Sequence, residues 1–198
     1  MFPMKECRNL VAIASSTGGP QALQGIIPKL PADIDAAVVV IQHMPVGFTH
    51  FLAERLDSVS KLHVKEAEDG EVLSKGVTYI AKAGVHLTIQ RSRYGEYSFK
   101  YMDMTPRDGV KPNANYLYES LIDIGLNRIV CTVLTGMGSD GTEGIAALRK
   151  KEPILVIAQD EKSSVVYGMP RSVSAAGLVD EVLPLDAIAD SIIRNISN

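Results

Sequence analysis

The chain has 198 residues, of which 46% are apolar, and its formal net charge is −3. This composition is typical of a soluble globular protein, and the lack of any run of like charges argues against a nucleic-acid-binding surface. A chain of this length buries enough surface to fold without disulfides or metals, so we expect residues 1–198 to form a single domain.

Two short apolar runs, residues 10–14 and 36–41, open the pattern of predicted elements. Each run ends in a turn that is followed by apolar residues with helical spacing. Those helical positions are Leu23, Ile26 and Ile27 after the first run, and Phe48, Phe51, Leu52 and Leu56 after the second. Continuous apolar runs of this length are typical of strands that are buried on both faces.

Residues 64–102 show a different pattern, in which apolar and polar side chains alternate. The clearest segments are residues 77–80, 86–89 and 97–100. Alternation of this kind is typical of short antiparallel strands with one face in solvent. We therefore expect a β-rich, antiparallel insertion over about residues 64–102.

Beyond residue 112 the alternation of strands and helices resumes, with further buried strands predicted at residues 129–134 and 154–158. The predicted helices are marked by Ala114, Leu117, Leu121 and Ile124, by Ile145, Ala146 and Leu148, by the segment that opens at Gly168, and by residues 185–196. Strands that alternate with helices are joined by right-handed crossovers. The sequence thus predicts a three-layer α/β fold with a mainly parallel, doubly wound sheet and a small antiparallel insertion.

The two cysteines, Cys7 and Cys131, belong to no CxxC pair and to no cluster with metal-ligand spacing. Cys131 lies in the apolar run IVCTVLT, which predicts a small buried side chain. The N-terminal segment MFPMKECRN lacks the apolar stretch of a signal peptide, and no segment is apolar enough to span a bilayer. We therefore expect a soluble cytoplasmic protein that is not inserted in a membrane.

Three chemically distinct side chains follow three predicted strands. Ser16 comes after the first strand, His43 after the second, and Asp140 after the strand at residues 129–134. Because the carboxyl ends of parallel strands meet at one edge of a sheet, we expect these side chains to converge there. A hydroxyl, an imidazole and a carboxylate are the nucleophile, the general base and the orienting group of a serine hydrolase.

Each of the three residues also has a structural interpretation. Ser16 and Asp140 both precede helices, where such side chains often act as N-caps, and a histidine like His43 at a strand end is often only a hydrogen-bonded structural group. Spacing alone also leaves Ser15 open as the nucleophile. The remaining candidate bases are His50, which is predicted to lie on a helix, His63, which begins a predicted strand, and His86.

The turn after the first strand, ASSTG at residues 14–18, resembles a nucleophile elbow with alanine in place of the first glycine. A helix begins directly after this turn, and backbone N–H groups at such a position can bind an oxyanion. The backbone amide of Thr17 is the natural first donor. Loss of one such donor typically costs about 2.7–4 kcal/mol of transition-state stabilisation.

A competing motif is formed by Gly136, Gly138 and Gly141, which have GxGxxG spacing between a predicted strand and a helix. Asp160 follows at the end of the next strand, where a ribose-binding acid is found in dinucleotide-binding domains. The alternative function is therefore a dinucleotide-binding oxidoreductase or regulator. This alternative gives no role to Ser16 or His43. A P-loop is favoured still less, because no Gly-Lys-Ser/Thr follows the first turn.

The sequence resembles the catalytic domain of the CheB family, the chemotaxis protein-glutamate methylesterases. The matching segments span nearly the whole chain and are VAIASSTGGP, VVVIQHMPVGFTHFLAERL, GVTYIA, VLTGMGSDG and AQDEKSSVVYGMPRSV. The resemblance implies that Ser16 is the nucleophile, His43 the base and Asp140 the third member of the triad. It further implies that the backbone amides of Thr17 and Met137 bind the oxyanion.

The same resemblance implies a serine hydrolase that removes methyl esters from glutamates of methyl-accepting chemotaxis receptors and that also deamidates receptor glutamines, without a metal or cofactor. The implied partners are the cytoplasmic helices of those receptors and an N-terminal receiver domain, which full-length family members carry. The sequence contains no receiver domain, so we expect either a truncated piece or a free-standing relative.

Overall fold

The computed structural model describes residues 7–197. The first six residues of the N-terminal segment, for which no signal peptide was predicted, lie outside this range. The strands in chain order are β1 (Asn9–Ser15), β2 (Ala37–Gln42), β3 (His63–Glu66), β4 (Val77–Ile80), β5 (His86–Arg91), β6 (Tyr97–Met102), β7 (Arg128–Val133), β8 (Ile154–Gln159) and β9 (Glu181–Leu183). Seven of them form one parallel sheet in the order β3-β4-β2-β1-β7-β8-β9, and β5 pairs antiparallel with β6.

Helices cover both faces of this sheet. They are α1 (Gly19–Ile26), α2 (Thr49–Asp57), α3 (Ala114–Ser120), α4 (Thr142–Arg149), α5 (Met169–Ala175) and α6 (Leu185–Ser197), and a 3₁₀ turn, Ile27–Lys29, follows α1. Side chains of one face of the sheet pack with α3, α4 and α5, while those of the other face pack with α1, α2 and α6. Three layers result, as predicted.

The central strand β1 shows why two apolar layers form. Successive side chains of a strand point to opposite faces, so Leu10 and Ala12 enter one core while Val11 and Ile13 enter the other. Burial of one such valine, leucine or isoleucine side chain stabilises the fold by about 1.5–3 kcal/mol. The need to fill both layers explains why the central strands are continuous apolar runs. β1, β2, β7 and β8 each lie within one residue of the predicted bounds.

The antiparallel insertion predicted for residues 64–102 is wrong in its first part. β3 and β4 pair parallel to each other, and β4 pairs parallel to β2, so both strands extend the main sheet. The alternation misleads because Thr78 and Tyr79 are buried despite their hydroxyl groups, and the Tyr79 hydroxyl accepts a hydrogen bond of 3.1 Å from the Ser74 amide. Among the strands of the described range, β5 and β6 are the pair that runs antiparallel.

The apolar face predicted for α2 is also partly wrong. Phe48 and Phe51 are 55% and 63% exposed, whereas Leu52 and Leu56 are buried. The buried stripe begins instead at Thr49, whose hydroxyl donates to a Glu66 carboxylate oxygen at 2.5 Å and accepts from the Ala83 amide at 3.2 Å. These two bonds make a polar residue acceptable in the core, and the helix turns both phenylalanines into solvent.

Two smaller expectations concern α3 and α6. α3 ends at Ser120, so Ile124, which was predicted to belong to its apolar face, lies beyond the helix. The amphipathic helix predicted for residues 185–196 is confirmed as α6, which buries Ile188, Ile192 and Ile196.

Both cysteines are unpaired and buried, as predicted for Cys131. Desolvation of the thiolate raises the pKa of both thiols, that of Cys7 to about 11. Their side chains therefore act as small apolar groups of the core. Among residues 7–197, none of the helices combines the length and the apolar character that a membrane crossing requires.

Candidate active site

Ser16 and His43 lie side by side at the carboxyl edge of the parallel sheet. In the register of β1 and β2, Ser15 is opposite Gln42, and the His43 amide donates to the Ser15 carbonyl oxygen at 3.1 Å. Each of the two predicted residues directly follows its strand. Since neighbouring strands are about 4.8 Å apart, their backbones are adjacent.

Asp140 reaches the same edge from the loop after β7. His43 Nε2 lies 2.7 Å from Asp140 Oδ2, although the residues are 97 positions apart in the sequence. The two side chains are only 11% and 4% exposed. An ionised carboxylate can only accept, so the Nε2–H donates to Asp140 and the lone pair of the imidazole is on Nδ1.

Two further donors fix the orientation of the Asp140 carboxylate. The Ala114 amide donates to Oδ2 at 2.8 Å, and the Asn115 amide donates to Oδ1 at 3.2 Å. Asp140 therefore caps the first turn of α3. The N-cap interpretation for its own helix is wrong, because Gly141 occupies that position of α4 with a φ of 96° and without a side-chain cap.

Ser16 is held through its backbone and leaves its side chain partly exposed. Its amide donates to the Thr135 carbonyl oxygen at 3.0 Å. The N-cap of α1 is Gly18, without a side-chain cap, so the capping interpretation of Ser16 is wrong. Ser15 is fully buried, and its hydroxyl donates to Gln42 Oε1 at 2.7 Å, so of the two serines only Ser16 is partly open to solvent.

Gln42 is a functional-site residue that sequence reasoning missed. It is 2% exposed, and its Nε2 donates to the carbonyl oxygens of Ser16 at 2.9 Å and His43 at 3.0 Å, while Oε1 accepts from Ser15. One buried amide thus ties the serine loop to the histidine loop. The available signal was a polar residue at the end of an otherwise apolar strand, directly before the candidate base.

Thr135 is a second residue that the sequence did not reveal. Its hydroxyl donates to the Thr17 carbonyl oxygen at 2.9 Å and accepts from the Val166 amide at 2.9 Å. Its own amide donates to Gln159 Oε1 at 2.8 Å. These bonds connect the loops after β1, β7 and β8, so the candidate oxyanion donor Thr17 lies on a backbone that is fixed from both sides.

Gly136 lets the loop after β7 approach Ser16 closely. A Cβ at residue 136 would lie 2.8 Å from Ser16 Cβ and 2.4 Å from Met169 Sδ, distances that no real contact allows. Met137, the other predicted oxyanion residue, is the next residue along and has a 72% exposed side chain. Its amide directly follows Gly136 in the loop that packs on Ser16, and its side chain is exposed.

The glycines of the competing dinucleotide motif are part of this same loop. Gly136 packs on Ser16, and Gly141 begins α4. Asp160 Oδ1 accepts bonds from the Ser163 amide at 3.0 Å and from the Ser163 hydroxyl at 2.5 Å. The carboxylate that the motif would assign to a ribose is engaged in the turn after β8.

The other three histidines are engaged by partners other than Ser16 and Asp140. His50 lies on α2 and contacts Glu54 at 3.1 Å, and His63 begins β3 and contacts Asp57 at 2.9 Å. His86 is fully buried, with Nε2 donating to the Thr105 carbonyl oxygen and Nδ1 accepting from Asn113. Within the described range, no cluster of three or more His, Cys, Asp or Glu is placed to hold a metal ion.

Sequence similarity identifies the family. A model of the family described as CheB methylesterase matches residues 11–192. The chain belongs to the CheB methylesterase family. The matched range contains all five residues that the resemblance to this family singled out, namely Ser16, Thr17, His43, Met137 and Asp140.

Relatives within the CheB family include proteins of Geobacillus kaustophilus and Halalkalibacterium halodurans, both named protein-glutamate methylesterase/protein-glutamine glutaminase. They are 47% and 44% identical to this chain, over 93% and 97% of its length. The chain spans about half of these relatives, 53% and 55% respectively.

A crystal structure of the Thermotoga maritima CheB methylesterase catalytic domain matches this chain with a TM-score of 0.90 at 42% sequence identity. The match covers 94% of this chain and 97% of that one. It confirms the predicted class of fold, a mainly parallel α/β sheet with a small antiparallel pair. The dinucleotide-binding alternative has no support among these similarities.

Proposed function

We propose that this chain hydrolyses the methyl esters of glutamate side chains on chemotaxis receptors, with Ser16 as nucleophile, His43 as general base and Asp140 as orienting carboxylate. The proposal is carried by the hydrogen bond of 2.7 Å between His43 and Asp140 at the edge where Ser16 leaves the neighbouring strand. It is supported by the names of the relatives, which act on protein glutamate and protein glutamine.

The first half of the reaction forms an acyl-enzyme. His43 Nδ1 removes the hydroxyl proton as Ser16 Oγ attacks the ester carbonyl carbon, because Nε2 is already engaged by Asp140. The negative charge that develops on the carbonyl oxygen is stabilised by the backbone amides of Thr17 and Met137. His43 then gives the proton to the departing methanol.

The second half of the reaction releases the receptor carboxylate. Water attacks the glutamyl ester of Ser16 while His43 again acts as the base, and the serine hydroxyl is restored. A glutamine side chain would follow the same steps, with ammonia as the leaving group in place of methanol. These steps use only side chains and backbone amides of the chain, so neither a metal nor a cofactor is required.

The partners of this reaction are the cytoplasmic helices of methyl-accepting chemotaxis receptors, and the reaction takes place in the cytoplasm. A receiver domain that is not part of this sequence is the proposed regulatory partner, in line with the greater length of the relatives. Because the substrate is a receptor helix, the chain is expected to be held near the membrane only by its contact with the receptor.

The proposal is tested by incubating the chain with a receptor fragment that carries radiolabelled glutamyl methyl esters. We expect labelled methanol to be released without added metal or nucleotide. As a matched control, His50→Gln removes an exposed imidazole on α2 and is expected to leave the rate unchanged. Absence of methanol release, together with calorimetric binding of NAD, would favour the dinucleotide-binding alternative instead.

A further inference from the structure

A groove of about 600 Å³ opens beside the candidate active site. One wall is the loop of residues 137–139, and the other is the exposed face of the segment that leads into α5. Residues 168, 171, 172 and 175 form that second wall, and their spacing is that of one helical face. The two walls of the groove are therefore the loop after β7 and the segment that contains α5.

The groove adjoins the loop that packs on Ser16. The Gly168 amide donates to the Gly136 carbonyl oxygen at 3.1 Å, and Gly136 is the residue that packs on Ser16. Met137, whose amide we assign to the oxyanion site, forms part of the groove wall. The groove therefore lies beside the loop against which a substrate segment bound at Ser16 would rest.

Arg171 is the single charged residue among those that line this groove. It is exposed, and its guanidinium has no ion pair or hydrogen bond to any residue within the described range 7–197. In contrast, Arg107 binds Glu119 and Glu143, and Arg149 binds Asp180. A guanidinium without a partner, positioned along a substrate groove, matches the planar geometry of a carboxylate.

We propose that the groove is a substrate subsite in which Arg171 binds an acidic side chain located about one helical turn from the esterified glutamate. This inference rests on the proposed function, which supplies a helical substrate segment. One turn of a helix advances about 5.4 Å and returns the side chain to the same face, so both groups face the enzyme together. The subsite selects esters with an acidic neighbour.

The test uses helical peptides that carry one glutamyl methyl ester and, three or four residues away, a glutamate, a glutamine or a lysine. For the wild-type chain we expect kcat/KM to be about tenfold higher with the glutamate neighbour than with glutamine, between the small effect of an exposed ion pair and that of a charge-assisted hydrogen bond. In Arg171→Gln this ratio should fall to about one. Arg171→Glu should prefer the lysine peptide.

The matched control is Arg55→Gln, which removes an exposed arginine from α2, on the opposite face of the sheet. It is expected to keep the wild-type ratio. Because each ratio compares two peptides on one enzyme preparation, partial unfolding of a variant does not alter it. A wild-type ratio near one, or a ratio that survives in Arg171→Gln, would overturn the subsite while the esterase function stands. Failure of the wild type to hydrolyse any peptide would overturn the proposed function and the subsite with it.

Discussion

Replacing Ser16 by alanine is expected to lower the rate of methanol release by roughly 10⁴-fold or more, because the proposed mechanism forms the acyl intermediate on the Ser16 hydroxyl. The fold should remain, since the hydrogen bonds of residue 16 that hold its loop come from the backbone. The rate is measured with a methylated receptor fragment, and the free energy of unfolding is expected to change by less than about 0.5 kcal/mol.

Ser15→Ala is the matched control for this substitution. It removes the buried hydroxyl that donates to Gln42, so a loss of about 1 kcal/mol of stability is expected. The catalytic rate should stay within about tenfold of wild type, because that hydroxyl does not face the substrate. The opposite result, an active Ser16→Ala and an inactive Ser15→Ala, would move the nucleophile to the buried serine.

Asp140→Asn is expected to lower kcat by about 10⁴-fold, the size of effect that the equivalent change has in a serine protease. The Asp140 carboxylate accepts from His43 Nε2 and from the amides of Ala114 and Asn115. An asparagine side chain offers one accepting oxygen and one donating nitrogen, so in either orientation its NH2 group faces a backbone N–H of α3. Where that NH2 group takes the place of Oδ2, His43 must also move its proton to Nδ1 in order to accept from it. That tautomer cannot take the proton from Ser16.

The same substitution is expected to lower the free energy of unfolding by about 1–3 kcal/mol, because the NH2 group of the new side chain faces a buried backbone N–H at the start of α3. Activity is therefore measured at a temperature where circular dichroism shows the variant to be folded. Asp190→Asn, on the exposed face of α6, serves as the control for loss of one negative charge. Full activity of the folded Asp140→Asn protein would remove Asp140 from the catalytic chain.

The central strands could be predicted closely because their environment leaves little choice. β1, β2, β7 and β8 are covered by helices on both faces, so almost every position must be apolar and the runs stand out in the sequence. β4 is also a buried strand, but it fills two positions with Thr78 and Tyr79. Their hydroxyl groups imitate the alternation of an exposed strand, and burial of those hydroxyls cannot be read from residue type.

The prediction of the apolar face of α2 was partly wrong for a related reason. Thr49 takes the first core position of the helix because Glu66 and the Ala83 amide satisfy its hydroxyl, and both partners come from other elements. With Thr49 inside, the helical period places Phe51 in solvent. Only the tertiary partners of a threonine decide whether it can replace a phenylalanine in the core.

The adjacency of Ser16 and His43 could be predicted from the sequence, because each residue directly follows one of two neighbouring parallel strands. The anchoring of Asp140 did not follow, since its carboxylate caps a helix that begins 26 residues earlier in the chain. The role of Gln42 could not be predicted for the same reason. Its side chain bonds to Ser15, to the Ser16 carbonyl oxygen and to the His43 carbonyl oxygen, and two of these partners come from a distant segment. Contacts between distant segments carry no periodic signal.

The most direct test of the catalytic chain is a crystal structure of the protein after reaction with a serine-directed phosphonate. We expect phosphorus bonded to Ser16 Oγ, a phosphonyl oxygen about 2.7–3.1 Å from the amides of Thr17 and Met137, and His43 still bound to Asp140 through Nε2. A phosphonate on any other residue, or a phosphonyl oxygen turned towards solvent and away from both amides, would contradict the account.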